Sequence, residues 1–188
     1  MKLLIASDIH GSAFYCKKLI SAFLNENADK LLLLGDILYH GPRNDLPEGH
    51  NPREVIQILN DYKDVILAVR GNCDTEVDQM VLDFPVLADY ALVSDGAVDI
   101  FATHGHKFNC DCLPPVKNGT FVVYGHTHVP VFKEIGGIKC INPGSASIPK
   151  EDSWHGYVLY EDGVLFGRIL TGMLKWNILS SDFERRIK

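Results

Sequence analysis

Metal-binding residue types follow apolar segments at five places in this chain. The groups are Ser7-Asp8-Ile9-His10, Gly35-Asp36, Arg70-Gly71-Asn72, His104-Gly105-His106 and Gly125-His126-Thr127-His128. Each follows an apolar run, among them LLIA, LLLL and VILAV, whose length is typical of a buried strand. Packing alone would not place Asp, His and Asn at the same point of separate strands, and loops after strand ends are where α/β folds build their sites. We therefore predict one metal site, assembled from these loops, in an enzyme.

The donor types indicate which ions the site would bind. Carboxylate, imidazole and amide donors without cysteine suit Mn, Fe, Co, Ni or Zn. Asp8 and His10, two residues apart on an extended segment, could bind one ion together. His126 and His128 have the same spacing and could reach two ions. Asp36 is alone on its turn, which makes it the best candidate for a carboxylate that bridges two cations.

The charge of such a site favours a phosphate ester as substrate. Two divalent ions bring about +4, whereas Asp8, Asp36 and a bridging hydroxide bring about −3, and the amide of Asn72 is neutral. The surplus of about +1 suits a phosphate ester, and two metal ions lower the pKa of their bridging water. Such a hydroxide could attack phosphorus in line. We predict phosphoester hydrolysis.

The elements between the ligand groups change in kind along the chain. In the first half, strands at 2–6, 31–34 and 65–69 alternate with helices that begin after Ser12 and after Asn51 and end near 24 and 62. Residues 72–82 are predicted to form another short helix. In the second half, short apolar runs at 98–103, 121–124, 129–135, 138–141, 156–160 and 164–170 are separated by tight turns, which predicts a largely antiparallel arrangement. Two sheets packed face to face, with helices outside, would satisfy both halves.

Composition limits the class of protein. A length of 188 residues fits a single domain over 1–188, with a core at about 1–170 and a C-terminal tail at 171–188 that has no strong periodicity. A net charge of −6 argues against a nucleic-acid partner. No apolar stretch approaches the roughly 20 residues of a membrane span. Five cysteines without a framework pattern favour the cytoplasm. A homo-oligomer is possible.

The ligand groups, taken in order, resemble the signature blocks of the calcineurin-like metallophosphoesterases. Further segments resemble one type of small bacterial phosphodiesterase in that superfamily, the YfcE type. They are His40-Gly-Pro-Arg-Asn, Leu46-Pro-Glu-Gly, Val69-Arg-Gly-Asn-Cys-Asp74, Glu76-Val-Asp-Gln-Met80 and Asn142-Pro-Gly-Ser145. This likeness covers about residues 1–149.

The resemblance implies a fold, a ligand set and an activity. The fold would be α/β, a four-layer αββα sandwich of two mixed β-sheets flanked by helices. Two divalent ions, often Mn²⁺, would be held in two sets that share one aspartate: Asp8, His10, Asp36 and His128, and Asp36, Asn72, His104 and His126. Asp36, Asn72, Cys73 and His104 would take part in catalysis. The reaction would be hydrolysis of a small phosphodiester.

One position departs from the wider superfamily. Many members have a histidine after the metal-binding asparagine, where it can protonate the leaving group, and this chain has Cys73 there, as in the YfcE type. A thiol with a reference pKa of about 8.5 is a weaker match than imidazole for proton transfer at neutral pH. We hypothesise that the enzyme depends on leaving groups that need little protonation, such as aryl esters.

The loop at 40–50 carries two candidate substrate residues. His40 could line the substrate cleft, although a solvated loop histidine is equally consistent with the sequence. Arg43 could hold a phosphate oxygen in a bidentate contact. A surface ion pair of Arg43 with Asp45 or Glu48 is the alternative.

Two other functions stay open. A phosphomonoesterase would use the same site on a different ester. A catalytically inert protein-binding scaffold of the same fold is the alternative from another class, since the fold also serves as a protein-binding subunit in the retromer coat. That type has lost parts of the histidine set, whereas His10, His104, His126 and His128 all remain in this chain.

Overall fold

The computed structural model describes residues 1–96 and 98–170, and the backbone of 174–179. The strands are β1 (Lys2–Ala6), β2 (Lys30–Leu33), β3 (Ile66–Ala68), β4 (Tyr90–Ser94), β5 (Asp99–Thr103), β6 (Phe121–Val123), β7 (Val131–Ile135), β8 (Ile138–Asn142), β9 (Gly156–Glu161), β10 (Val164–Ile169) and β11 (Leu174–Leu179). The helices are α1 (Ala13–Asn25), α2 (Pro52–Asn60) and α3 (Glu76–Gln79), with a short 3-10 turn at Lys63–Val65.

The strands form two mixed sheets. The first has the order β11-β10-β9-β1-β2-β3 and the second has the order β4-β5-β6-β8-β7. In the first sheet β1, β2 and β3 are parallel, whereas β9 pairs antiparallel with β1. In the second sheet β5, β6 and β8 are parallel, between antiparallel edge strands. The predicted α/β sandwich of two mixed sheets is confirmed.

Local sequence signals account for the first two helices. The Ser12 side chain accepts a hydrogen bond from the backbone N–H of Tyr15 at 3.1 Å and caps α1 as predicted. The Asn51 side chain accepts one from the backbone N–H of Glu54 and caps α2, whose first residue is Pro52. Both helices bury an apolar stripe against the first sheet.

Apolar side chains fill the space between the layers. The central cluster joins the two sheets, with Leu3, Ile5 and Leu32 from the first and Phe121 and Val123 from the second. On the outer face of the second sheet, the fourth layer is an irregular segment, residues 104–120, whose apolar side chains pack on that face. No helix among the described residues is long and apolar enough to cross a membrane.

Some predicted elements differ from the structure. The predicted helix at 72–82 is only the four residues Glu76–Gln79, because Thr75 caps it and residues 72–75 form loops at the site. The second half is largely antiparallel, as predicted, in the pairs β4–β5, β7–β8, β9–β10 and β10–β11. Within it, β5, β6 and β8 pair in parallel, and the long segment at 104–120 makes the crossover from β5 to β6. The sequence pattern did not predict β4 or β11, and β11 lies in the C-terminal segment that has no strong periodicity.

Candidate metal centre

The five ligand groups converge on one side of the sandwich, after β1, β2, β3, β5 and β6. The first two loops are joined by hydrogen bonds from the backbone N–H of Asp8 to the Gly35 carbonyl and from that of His10 to the Asp36 carbonyl. The His126 N–H donates to Asp8 Oδ2 at 3.0 Å and so connects the second sheet to the first. Backbone contacts therefore hold ligand loops that are distant in sequence.

Several of the predicted ligands have a left-handed backbone. Their φ angles are 58° for Asp8, 49° for His10, 53° for Asp36, 67° for His126 and 62° for His128. Non-glycine residues rarely adopt this conformation, and such strain concentrates at functional sites. The strained positions therefore support a functional role for these loops.

Two glycines allow the backbones of the ligand loops to lie very close to neighbouring side chains. A Cβ at Gly125 would collide with the side chains of Ser7 and Asp8, and a Cβ at Gly71 would collide with Asp36. The glycines let the loops of His126 and Asn72 approach the two carboxylates.

Three buried histidines are fixed in orientation by backbone carbonyls. Each Nδ1 lies 2.7 Å from a carbonyl oxygen, in the pairs His10 with Tyr39, His104 with Leu34 and His128 with Ile148. A carbonyl oxygen can only accept a hydrogen bond, so each Nδ1 is the donor. In the neutral ring the Nε2 atom then carries a lone pair, which is the arrangement of metal-binding histidines.

The Nε2 atoms of His10 and His128 and the Oδ1 atom of Asp8 face one another. His10 Nε2 and His128 Nε2 are 3.2 Å apart, and Asp8 Oδ1 lies 3.5 Å from the first and 3.2 Å from the second. Asp8 is fully buried, and its Oδ1 atom has no hydrogen-bond partner among the described residues. Acceptors that converge without donors need a cation between them. The donor set therefore fits a divalent ion.

Asp36 lies between this group and a second one. Its Oδ2 atom is 3.8 Å from His10 Nε2 and 3.5 Å from His104 Nε2, while its Oδ1 accepts the Cys73 N–H at 2.8 Å. Asn72 Oδ1 lies 3.0 Å from His104 Nε2. One oxygen of Asp36 is therefore held by the backbone, and the other faces both imidazoles.

The charged groups of the cluster shift one another's pKa values. Burial would raise the pKa of Asp8, but hydrogen bonds from His10 and His128 in their protonated form hold it well below its usual value, because a proton offsets the carboxylate charge as a cation would. The pKa of Asp36 is lowered in the same way by His104. Burial would lower the pKa of His104, but the carboxylates of Asp36 and Asp8 raise it to about 9. The carboxylates therefore attract positive charge into the cluster.

A cleft opens beside the cluster. Its lining includes Asn72, Cys73 and His126 from the ligand loops and Arg43, Asn44 and Lys150 from two other loops. His126 is half-buried, and its ring centroid lies 5.1 Å from that of His104, although it belongs to none of the tight ligand clusters found among the described residues.

The two predicted substrate residues differ in position. Arg43 lines the cleft and, within residues 1–96 and 98–170, forms neither of the ion pairs considered for it with Asp45 and Glu48. The His40 ring instead contacts Tyr39 and His50, and its carbonyl accepts a hydrogen bond from Asn44. The structure brings Arg43 to the cleft and gives His40 a role in loop packing.

Cys73 is close to the ligands. Its thiol belongs to a cluster with His10 and Asp36 whose ligand atoms lie within 4.8 Å of one another. The Asn72 side chain donates to its sulfur at 3.2 Å. Burial, together with the Asp36 carboxylate, raises the pKa of the thiol to about 12, so the thiol stays protonated at neutral pH.

Asp74 is a positioning residue to which the sequence pattern alone assigned no role. Its buried carboxylate accepts backbone hydrogen bonds from Asp36 and Gly71 at 2.8 Å and from Ile37 at 2.9 Å. It thereby fixes the Asp36 loop against the Asn72 loop. Its spacing, two residues after the predicted ligand Asn72, is the sequence feature that could have identified it.

The turn at 142–148 also positions ligands. Ser145 and Ser147 donate their hydroxyls to the Asp8 carbonyl at 2.8 and 3.0 Å. The Asn142 side chain donates to the Gly125 carbonyl at 2.7 Å. The turn therefore holds the loops of Asp8 and His126 through its side chains.

Comparison with known proteins places these features in a class. A family model described as the calcineurin-like phosphoesterase superfamily domain matches residues 1–162. The chain belongs to this superfamily, as its signature blocks predicted.

Within this superfamily, the chain is similar to particular phosphodiesterases. Over 165 residues the chain is 46% identical to Phosphodiesterase YfcE of Escherichia coli, covering 88% of this chain and 90% of that protein. It superposes on the solved structure of YfcE, a phosphoesterase from E. coli, with a TM-score of 0.93 at 42% identity, covering 96% of this chain and all of that one. A phosphodiesterase of Methanocaldococcus jannaschii is 28% identical over 152 residues, covering 77% of this chain and 83% of that protein.

Proposed function

We propose that this chain is a metal-dependent phosphodiesterase that hydrolyses a small phosphodiester with two divalent ions. Membership of the calcineurin-like phosphoesterases and the likeness to named phosphodiesterases support the reaction class. Mn²⁺ is the ion we propose, and Fe, Co, Ni and Zn also suit the donors.

The observation that carries the proposal is the convergence of unpaired acceptors at Asp8. Two imidazole Nε2 atoms, from His10 and His128, and the buried Asp8 Oδ1 face one another within 3.5 Å, without a donor among the described residues. The backbone carbonyls that hold both Nδ1 atoms prevent the rings from turning the other edge inward. Such a group is preorganised for a cation.

The position of Asp36 supports a second ion. Its Oδ2 faces His10 on one side and His104 on the other, as a carboxylate shared between two ions requires. We assign Asp8, His10, Asp36 and His128 to one ion and Asp36, Asn72, His104 and His126 to the other.

The residues of the chain have distinct tasks in this proposal. Bound divalent ions would supply an activated water and offset the charge that develops on the phosphoryl oxygens. The Cys73 N–H, by holding Asp36 Oδ1, keeps the other oxygen in place, and the His126 N–H does the same for Asp8. Arg43 lines the cleft with its guanidinium free to hold a phosphoryl oxygen in a bidentate contact.

The test is hydrolysis of bis(4-nitrophenyl) phosphate and of 4-nitrophenyl phosphate after metal removal. We expect Mn²⁺ to restore diester hydrolysis, with lower turnover of the monoester. Asp36→Asn should reduce kcat by more than about a hundredfold because it weakens both sets of ligands. The exposed Asp61→Asn is the matched control and should leave kcat unchanged.

The outcomes separate the alternatives. Faster turnover of the monoester would favour a phosphomonoesterase. Metal analysis of the purified protein should find about two ions per chain if the assignment is right. Absence of bound metal after incubation with Mn²⁺ would favour the protein-binding scaffold.

A further inference from the structure

Lys150 is a cation in the cleft to which the ligand chemistry gives no role. It lines the cleft together with Asp36, His126 and His128. Its side chain is exposed, and its ammonium has no ion pair or hydrogen bond with any residue in the part of the chain that the structure describes. A lysine beside an anion-binding site without a carboxylate partner is free to bind a ligand.

The backbone of Lys150 is fixed relative to the metal centre. Its N–H donates to the His128 carbonyl at 3.2 Å, and its carbonyl accepts the Ser153 N–H at 3.1 Å. The same loop supplies the Ile148 carbonyl that holds His128 Nδ1. The position of Lys150 is therefore tied to a predicted ligand, while its flexible stem leaves the charge free to move.

The charge in the cleft exceeds what a simple diester carries. Two divalent ions with Asp8, Asp36 and a hydroxide leave about +1, which one diester phosphate neutralises. Arg43 and Lys150 then add two further positive charges to the lining. The carboxylate in that lining is Asp36, which already faces two imidazoles. A substrate with one negative charge would leave Lys150 unmatched.

We propose that Lys150 is a specificity-determining residue that binds a second phosphate group on the substrate. The substrate class would be a phosphodiester in which one esterified alcohol also carries a phosphate monoester. Lysine suits this task because it binds phosphate as a point charge. This inference rests on the proposed function, since it concerns the substrate of that same site.

Two chromogenic diesters that differ in one phosphate test the inference. The first is the 4-nitrophenyl ester of thymidine 5′-phosphate, and the second is the same compound with an added 3′-phosphate. Both have the same scissile bond and leaving group. With Mn²⁺ present, we expect KM for the second to be about tenfold lower, with similar kcat, because the added group contributes a charge-assisted hydrogen bond.

Variants of Lys150 test whether this residue causes the preference for the substrate with the added phosphate. Lys150→Ala should reduce the ratio of the two KM values from about ten to about one, and Lys150→Arg should retain most of it. Lys117→Ala is the matched control, because Lys117 is an exposed lysine paired with Asp99 away from the cleft, and it should keep the parent ratio.

Calorimetric titration gives a readout that does not depend on turnover. Thymidine 3′,5′-bisphosphate should bind the Mn²⁺-loaded protein about tenfold more tightly than thymidine 5′-phosphate, and Lys150→Ala should remove the difference. Equal KM values in the parent, or a preference that survives in Lys150→Ala, would overturn the inference about Lys150 and leave the proposed function standing. If neither diester is hydrolysed, the proposed function fails, and the titration still shows whether Lys150 binds the second phosphate.

Discussion

Several predicted metal ligands have a strained backbone conformation. Asp8, His10, Asp36, His126 and His128 all have positive φ angles. Such residues cost about 1–3 kcal/mol each and persist only where the surroundings over-determine them. The hydrogen bonds to the Asp8 carbonyl and the carboxylate of Asp74 provide that support.

Asp74 gives the first prediction at this scale. Asp74→Asn should lower the free energy of unfolding by about 1–3 kcal/mol, because an amide cannot accept all of the backbone hydrogen bonds that the carboxylate accepts. Urea unfolding in the presence of a chelator measures this without metal binding. The exposed Asp64→Asn should change the free energy by less than about 0.5 kcal/mol. Equal losses in both variants would contradict the positioning role.

Cys73 gives the second prediction. Because its pKa is raised to about 12, the thiol is a weak proton donor at neutral pH. Cys73→His should therefore make kcat less dependent on the leaving-group pKa across a series of aryl and alkyl diesters. Cys73→Ala, which lacks a donor, should keep the parent slope. An unchanged slope in Cys73→His would remove this position from the mechanism.

At the scale of elements, a partly buried hydrogen-bond network links α1 to two loops of the site. The Tyr15 hydroxyl lies 3.0 Å from His155 Nε2 and 3.4 Å from Glu48 Oε2, and His155 Nδ1 donates to the Ala146 carbonyl. Glu48 belongs to the loop that carries Arg43, and Ala146 to the turn that holds Asp8. The neutral His155 ring is satisfied at both nitrogens.

This network predicts a pH dependence of stability. Burial lowers the pKa of His155 below its ordinary value of 6.5. The unfolded chain therefore binds more protons here as pH falls from about 6.5 through the folded pKa, so folding stability decreases over that range. His155→Gln removes this contribution, and the parent should lose more stability than the variant between about pH 7 and pH 5. Parallel stability curves from chemical unfolding would refute the assignment.

At the scale of the whole molecule, the core supports one cooperative unit. Its central cluster draws Leu3 and Ile5 from the first sheet and Phe121 and Ile141 from the second, so neither sheet buries its inner face alone. We propose that residues 1–188 form a single domain. All five cysteines are free thiols, and the cytoplasmic location and a homo-oligomeric state stay predictions.

Metal binding should stabilise this unit. A ligand that binds only the folded state adds about 2.7 kcal/mol when its concentration is a hundredfold above Kd. For a chain of this size that corresponds to a rise in Tm of about 5–11 °C per site. Calorimetric scans with Mn²⁺ and with a chelator measure the shift, which Asp36→Asn should largely abolish. Identical Tm values for the parent under both conditions would contradict a metal centre.

The sequence by itself determined the donors, their placement after strands, the caps of α1 and α2 and the class of fold. Asp8, Asp36 and His104 could be read as ligand candidates because strand periodicity and turn residues are local signals. Only the tertiary structure decided which imidazole nitrogen faces inward, that Asp74 fixes two loops, that Lys150 enters the cleft and that β5, β6 and β8 are parallel. These features depend on contacts between residues far apart along the chain, and local periodicity carries no information about which partner a strand or side chain will meet.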